Sequence, residues 1–133
     1  MKRITSLAVC LLLLAGCGTA VAEPGISRID WDNHDARAEQ FVTALANGDF
    51  TIAAEGFDAD MQRALGVRAL GNSWKGMLRG AGAFVAIEGI ELEPHDEYDI
   101  YIVFTRHEIS GINTRIVFSA DGLVAGLFFT FVN

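Results

Sequence analysis

Apolar positions along the chain keep one rhythm as far as residue 80 and a different one afterwards. In residues 35–46, Ala38, Phe41, Val42 and Leu45 fall at i, i+3, i+4 and i+7, a single stripe along a helix. Asp32 or Asn33 stands where an N-terminal cap belongs, and Asn47-Gly48 ends the segment because both residues tolerate a left-handed backbone. Asp49 is placed to cap a second helix in which Phe50, Ala53, Ala54 and Phe57 repeat the spacing. Asp58 then opens a short turn through Met61 and Leu65. A third helix is predicted over residues 67–79, with Val67, Leu70, Trp74, Met77 and Leu78 along one side. Gly71 and Gly76 each cost that helix about 1 kcal/mol relative to alanine. Both are therefore expected where a neighbour packs closely.

At Gly80-Ala81-Gly82 the period drops from 3.6 to 2. Residues 84–93 read as a first strand, ending at a turn made by Pro94, His95, Asp96 and Glu97. Residues 98–107 form a second, with Tyr98, Ile100, Ile102 and Phe104 on one face and Tyr101, Val103 and Thr105 on the other. After Ser110-Gly111, Ile112, Thr114, Ile116 and Phe118 mark a third strand, and Asp121-Gly122 is a hairpin signal. Residues 123–132 close the set; Leu127, Phe128 and Phe129 are apolar on both faces, the mark of a strand buried on both sides. Helices followed by strands predict an α+β fold: three N-terminal helices packed on a curved, four-stranded antiparallel sheet.

Ahead of this domain lies a different kind of segment. Lys2 and Arg3 precede an apolar run from Ile4 to Leu14, too short for a span of about 20 residues. Leu14-Ala15-Gly16-Cys17 then matches a lipoprotein processing site, so residues 1–16 read as a lipoprotein signal peptide and Cys17 as the lipidated residue. Residues 17–30, with Pro24 and Gly25, read as a flexible tether, and residues 31–133 as one domain. Ala20-Val21-Ala22 before Glu23 is a competing site whose use would release a soluble periplasmic or secreted protein. Lipidation would place the domain in the cell envelope, its membrane contact made by the acyl chains alone. Gly18 is not the aspartate that commonly holds such proteins at the inner membrane, which favours the outer one.

Charge narrows the partners. The full chain carries 10 basic and 17 acidic residues; without Lys2 and Arg3 the balance is 8 against 17, a net −9. Such a surface has nothing to exchange for the counterions of nucleic acid. Cys10 and Cys17 are the two cysteines, so the domain itself holds no thiol and no disulfide.

Several local strings go further. Phe41-Val42 with Leu45-Ala46-Asn47-Gly48-Asp49-Phe50 opens the set, and Phe57-Asp58 with Met61, Leu70 with Trp74, and Gly82 with Phe84 continue it. The run from Phe118-Ser119-Ala120-Asp121-Gly122 to Phe128-Phe129 ends it. Together these resemble the bacterial domain-of-unknown-function family 3887, which is similar in fold to nuclear transport factor 2-like (cystatin-like) α+β domains. The resemblance covers roughly residues 35–131. It implies a domain that stands alone behind a signal or precedes an α/β-hydrolase, and a fold that hosts isomerases, dehydratases, binding modules and dimerisation platforms alike.

Catalytic motifs are weak throughout. Gly71-Asn72-Ser73-Trp74-Lys75-Gly76 has one residue too many for a nucleophile elbow and lies in a helical stretch. Gly80-Ala81-Gly82 lacks the third glycine of a dinucleotide loop and precedes a strand. His34, His95 and His107 fall in separate segments, and Asp58-Ala59-Asp60 lacks the later ligands of a calcium loop. No metal or other cofactor is expected from these residues. The constellation worth carrying is aromatic: Phe57, Trp74, Tyr101 and Phe128 converging between the third helix and the sheet, with Asp99 or Tyr101 supplying polarity.

The expectation from sequence is a non-enzymatic, envelope-anchored domain that binds a small apolar ligand or a protein partner. Two alternatives stand beside it. One is an isomerase- or dehydratase-type enzyme with Asp99 as general base, which would require burial of that carboxylate. The other is a structural module that dimerises through the sheet face bearing Tyr98, Ile100 and Ile102.

Overall fold

The structure, a computed structural model, describes residues 28–132. The expected signal peptide, Cys17, the processing site before Glu23 and most of the tether lie outside the described residues. Helix α1 (His34–Asn47) starts where Asn33 Oδ1 accepts the Ala36 amide at 3.1 Å. It stops at Gly48, whose φ of 81° lets its amide turn back onto the Ala44 and Leu45 carbonyls. Its stripe of Ala38, Phe41, Val42 and Leu45 is fully buried.

The second helical segment is shorter than its pattern predicts. Helix α2 (Phe50–Ala54) ends after five residues, and Asp49 makes no side-chain cap. Phe57 leaves the helix to bridge Val124 in parallel: the Val124 amide donates to the Gly56 carbonyl at 2.7 Å, and the Asp58 amide to the Val124 carbonyl at 3.0 Å. The turn expected after Asp58 is a six-residue helix, α3 (Ala59–Ala64), capped by Asp58 Oδ1 accepting from the Met61 amide at 2.8 Å. Helix α4 (Val67–Ala81) buries Leu70, Gly71 and Trp74. Its two internal glycines differ in cause. A Cβ on Gly71 would stand 3.0 Å from the Phe50 ring, so the close approach is real there. At Gly76 the nearest atom is a terminal nitrogen of Arg79 at 3.6 Å, and no neighbour explains it.

Four strands follow as an antiparallel meander in the order β1 (Phe84–Pro94), β2 (Asp99–His107), β3 (Gly111–Phe118) and β4 (Val124–Val132). The fold is therefore α+β, with the helices packed on one face of an open four-stranded sheet. On β2, Tyr101, Val103, Thr105 and His107 face the helices, and on β3 Ile112, Thr114, Ile116 and Phe118 do the same. Two register shifts in β1, at Phe84/Ala86 and Ile87/Gly89, break its alternation and bend that edge.

β4 corrects the expectation of burial on both sides. Its inward residues Leu127 and Phe129 are half-buried against the core, but Phe128 lies on the far face opposite Arg115 and is 56% exposed. An apolar run states that a strand avoids charge; it does not state whether a second layer covers it.

Candidate functional site

Helix α1 carries a charge on its buried side. Arg37 lies four residues before Phe41 and eight before Leu45, so helical geometry points it into the core, where it is 1% exposed. Its guanidinium rests on the Phe118 ring, 3.8 Å from the centroid, with the Tyr101 ring 5.9 Å away. Those two rings meet edge to face at 5.7 Å and 82° because β2 and β3 pair Tyr101 with Ile116 and Asp99 with Phe118. Asp99, on the same face of β2, places Oδ2 at 3.9 Å from Arg37 Nη2, while its own side chain stays 47% exposed.

The remaining hydrogen-bonding capacity of Arg37 is unused. Nε and Nη1 are buried and have no hydrogen-bond partner among the described residues. Asn113 Oδ1 and Thr114 Oγ1 share that state but are neutral. Burial lowers the Arg37 pKa, opposed by its electrostatic coupling to Tyr101 and then Asp99; a guanidinium nevertheless stays charged at neutral pH. A buried cation with unmade hydrogen bonds is costly, and proteins rarely keep one without a use for it.

Over this group opens a pocket of about 200 Å³. Two turns form its walls. One joins β1 to β2 and is held by reciprocal backbone bonds between His95 and Tyr98 at 3.1 and 3.3 Å. The other joins β3 to β4, where the Gly122 amide donates to the Ser119 carbonyl at 2.9 Å and Gly122 adopts a φ of 83°. The hairpin expected at Asp121-Gly122 thus lies beside the guanidinium: a Cβ on Gly122 would stand 3.4 Å from Nη1. The rim is acidic, with Asp96, Glu97 and Asp99. On the other side of Tyr101, Ile90, Leu92 and Glu39 line an open groove of about 330 Å³.

The five residues expected to converge do not all meet. Asp99 and Tyr101 are together, at Arg37. Trp74 is in the core near the opposite end of β2, 5.5 Å from the Phe129 ring and 5.8 Å from His107. Phe57 packs against Phe41 with ring centroids 6.3 Å apart, beside the bridge to Val124. Phe128 is across the sheet. Between α4 and the sheet, where the apolar cavity was expected, Trp74 packs against Phe129 and His107. Arg37 escaped the sequence reading, although a charge at helical spacing within an apolar stripe is a visible signal.

At the far end of β2 the buried polar groups are served. The His107 pKa is lowered by burial, against the opposing effect of its bond to the Gly82 carbonyl. Neutral His107 carries its proton on Nδ1, since the Gly82 carbonyl at 3.2 Å can only accept. Nε2 then faces the Thr105 hydroxyl at 2.9 Å, whose single proton is shared between Nε2 and the Ile112 carbonyl, also at 2.9 Å. Among the described residues, no group of three or more His, Cys, Asp or Glu side chains is placed to hold a metal, and no helix is long and apolar enough to cross a membrane.

A family model described as "Protein of unknown function (DUF3887)" matches residues 38–127. Over 98 residues the chain is 34% identical to Esterase EstD of Thermotoga maritima, a match covering 71% of this chain and 23% of that protein. The chain therefore spans less than a quarter of the length of that relative. No solved structure matches.

Proposed function

The chain belongs to the DUF3887 family of proteins of unknown function, and we propose that it is a non-enzymatic binding domain that takes a small ligand, or the charged end of a partner, into the pocket over Arg37. The observation that carries this reading is a buried guanidinium beneath an opening, with two N–H nitrogens unpartnered among the described residues. Rigid presentation of unused donors serves binding: the donors need no reorganisation when a ligand arrives. The lipid expected on Cys17 would hold the domain in the cell envelope, at the outer membrane or the periplasmic face.

Catalysis has less support. Asp99, the general base an isomerase or dehydratase would use, is half exposed and faces a cation, whereas such a base needs shelter from water to hold its proton near neutrality. Ser73 is exposed in the middle of α4, far from the strand-to-helix turn a nucleophile elbow requires. The relative's name is that of an esterase, yet the matched stretch is a minor part of it. A second reading, pairing of two copies through the outer sheet face, draws on the exposed Phe128 ring.

Native mass spectrometry of protein taken gently from cell envelopes tests the proposal. A small adduct lost in a folded Arg37→Met variant is the expected result. Protein that carries no adduct, and whose amide resonances around 37, 95–99 and 119–122 ignore an extract of envelope small molecules, would sink it. Incorporation of labelled palmitate, abolished by Cys17→Ala, tests the anchor separately.

A further inference from the structure

Resting on that reading, we infer that the Arg37 pocket selects a small zwitterion, a free α-amino acid or a close analogue, with its carboxylate on Arg37 and its ammonium group at Asp99. The guanidinium lining the pocket has donors to spare: Nε and Nη1 are unpartnered among the described residues, with Gly122 beside Nη1, and Nη2 stands 3.9 Å from Asp99 Oδ2, beyond hydrogen-bond reach. Two such nitrogens on one rigid plane match the two oxygens of a carboxylate. Stacking on Phe118 fixes that plane before any ligand arrives.

The rim argues against a bare anion. Asp96, Glu97 and Asp99 surround the opening of a chain whose net charge is already −7, so a simple carboxylate or phosphate is repelled on approach. A molecule with a positive group next to its carboxylate suffers no net repulsion and gains a partner in Asp99. The existing ion pair is slack enough to admit it. At 3.9 Å, Arg37 and Asp99 stand well beyond the roughly 2.7–2.9 Å of a charge-assisted hydrogen bond, so one ligand can bridge them without tearing a tight contact apart. Size gives the last limit. About 200 Å³ is the space of roughly seven waters at about 30 Å³ each, which suits a ligand of fewer than ten non-hydrogen atoms.

The test compares three molecules on one skeleton by calorimetry and amide chemical shifts. L-alanine has both charges, propionate lacks the amine and ethylamine lacks the carboxylate. L-alanine is expected to bind at least tenfold more tightly than either of the others, and to move resonances of Arg37, Asp99, Ser119 and Gly122. Asp99→Asn, at an exposed side chain, should weaken L-alanine about tenfold while strengthening propionate, a crossed response that a merely structural Asp99 would not give. Arg37→Met should abolish both, with circular dichroism reporting whether the fold is kept. Equal binding of propionate and L-alanine makes this a plain anion site, and ethylamine matching L-alanine makes it a cation site; either overturns the ligand class while the pocket stands. Silence with all three at millimolar concentration, in a folded protein, overturns the pocket as well.

Discussion

The two ends of strand β2 treat buried polarity in opposite ways. At its last residue, His107 and Thr105 pass hydrogen bonds among themselves and the carbonyls of Gly82 and Ile112, wrapped by Trp74 and Phe84. At its first residue, about 26 Å away at about 3.3 Å per residue, Asp99 meets a buried guanidinium with two nitrogens unpartnered among the described residues. Both ends use the same face of one strand and both carry aromatic rings. The difference is satisfaction. Where every donor has its acceptor, the polar groups lock α4 to the sheet; where donors are left over, capacity remains for something outside the chain.

The comparison can be broken most sharply at the satisfied end. Trp74→Ala should cost about 3–5 kcal/mol in urea unfolding, because the ring is buried and its neighbours can only partly collapse. Its folded fraction should still bind at the Arg37 pocket. Next, Thr105→Val should cost about 1–3 kcal/mol, since it strips His107 Nε2 of its buried partner.

Acid should act at that end too. The lowered His107 pKa means that the unfolded chain takes up its proton first, at about 6.5, the ordinary value. Stability from His107 is therefore complete above about pH 6.5 and is lost as pH falls toward the lower folded-state value. Unfolding midpoints at pH 7.5 and 5.5 should show the decline, and His107→Gln should flatten it. A midpoint that rises on acidification would contradict the assignment.

Arg37→Met should be nearly neutral, or stabilising by about 1 kcal/mol, because an apolar isostere removes a buried charge whose bonds are unmade and Asp99 is exposed enough to be hydrated. A loss as large as that of Trp74→Ala would make the guanidinium a structural keystone and end the contrast. The smallest effect belongs to Phe128→Thr, within about 0.5 kcal/mol for an exposed side chain. If two copies pair through the outer face, the same variant should halve the mass seen by light scattering.

Much of the scaffold was legible residue by residue. Asn33, Gly48, Asp58 and Gly122 act within a few positions of themselves, so their caps and turns follow from local chemistry alone. Helical and alternating periods located α1, α4 and all four strands to within a residue or two. Asp49 failed as a side-chain cap, and α2 stopped early because Phe57 is drawn into a bridge with Val124, 67 positions later. Of the expected site only Asp99 lines the pocket, and Tyr101 stands nearby beside the Arg37 guanidinium. Phe57, Trp74 and Phe128 have the right composition for a cavity, but strand register and helix packing send them elsewhere.

Taken alone, the sequence determined the order of most elements, the ends of α1, α4 and the four strands, and the α+β class, because periodicity and capping are short-range and each element must bury its apolar side. The spacing that carries Arg37 onto the buried side of its helix is present there too, although the stripe of Ala38, Phe41, Val42 and Leu45 did not single it out. Only the tertiary structure decided what that arginine would meet. Asp99, Phe118 and Gly122 come from three places more than 60 positions away, and the pairing of β2 with β3, with α1 lying across them, is what brings them to one point. Contacts of that range depend on register and layer packing, which no local spacing encodes.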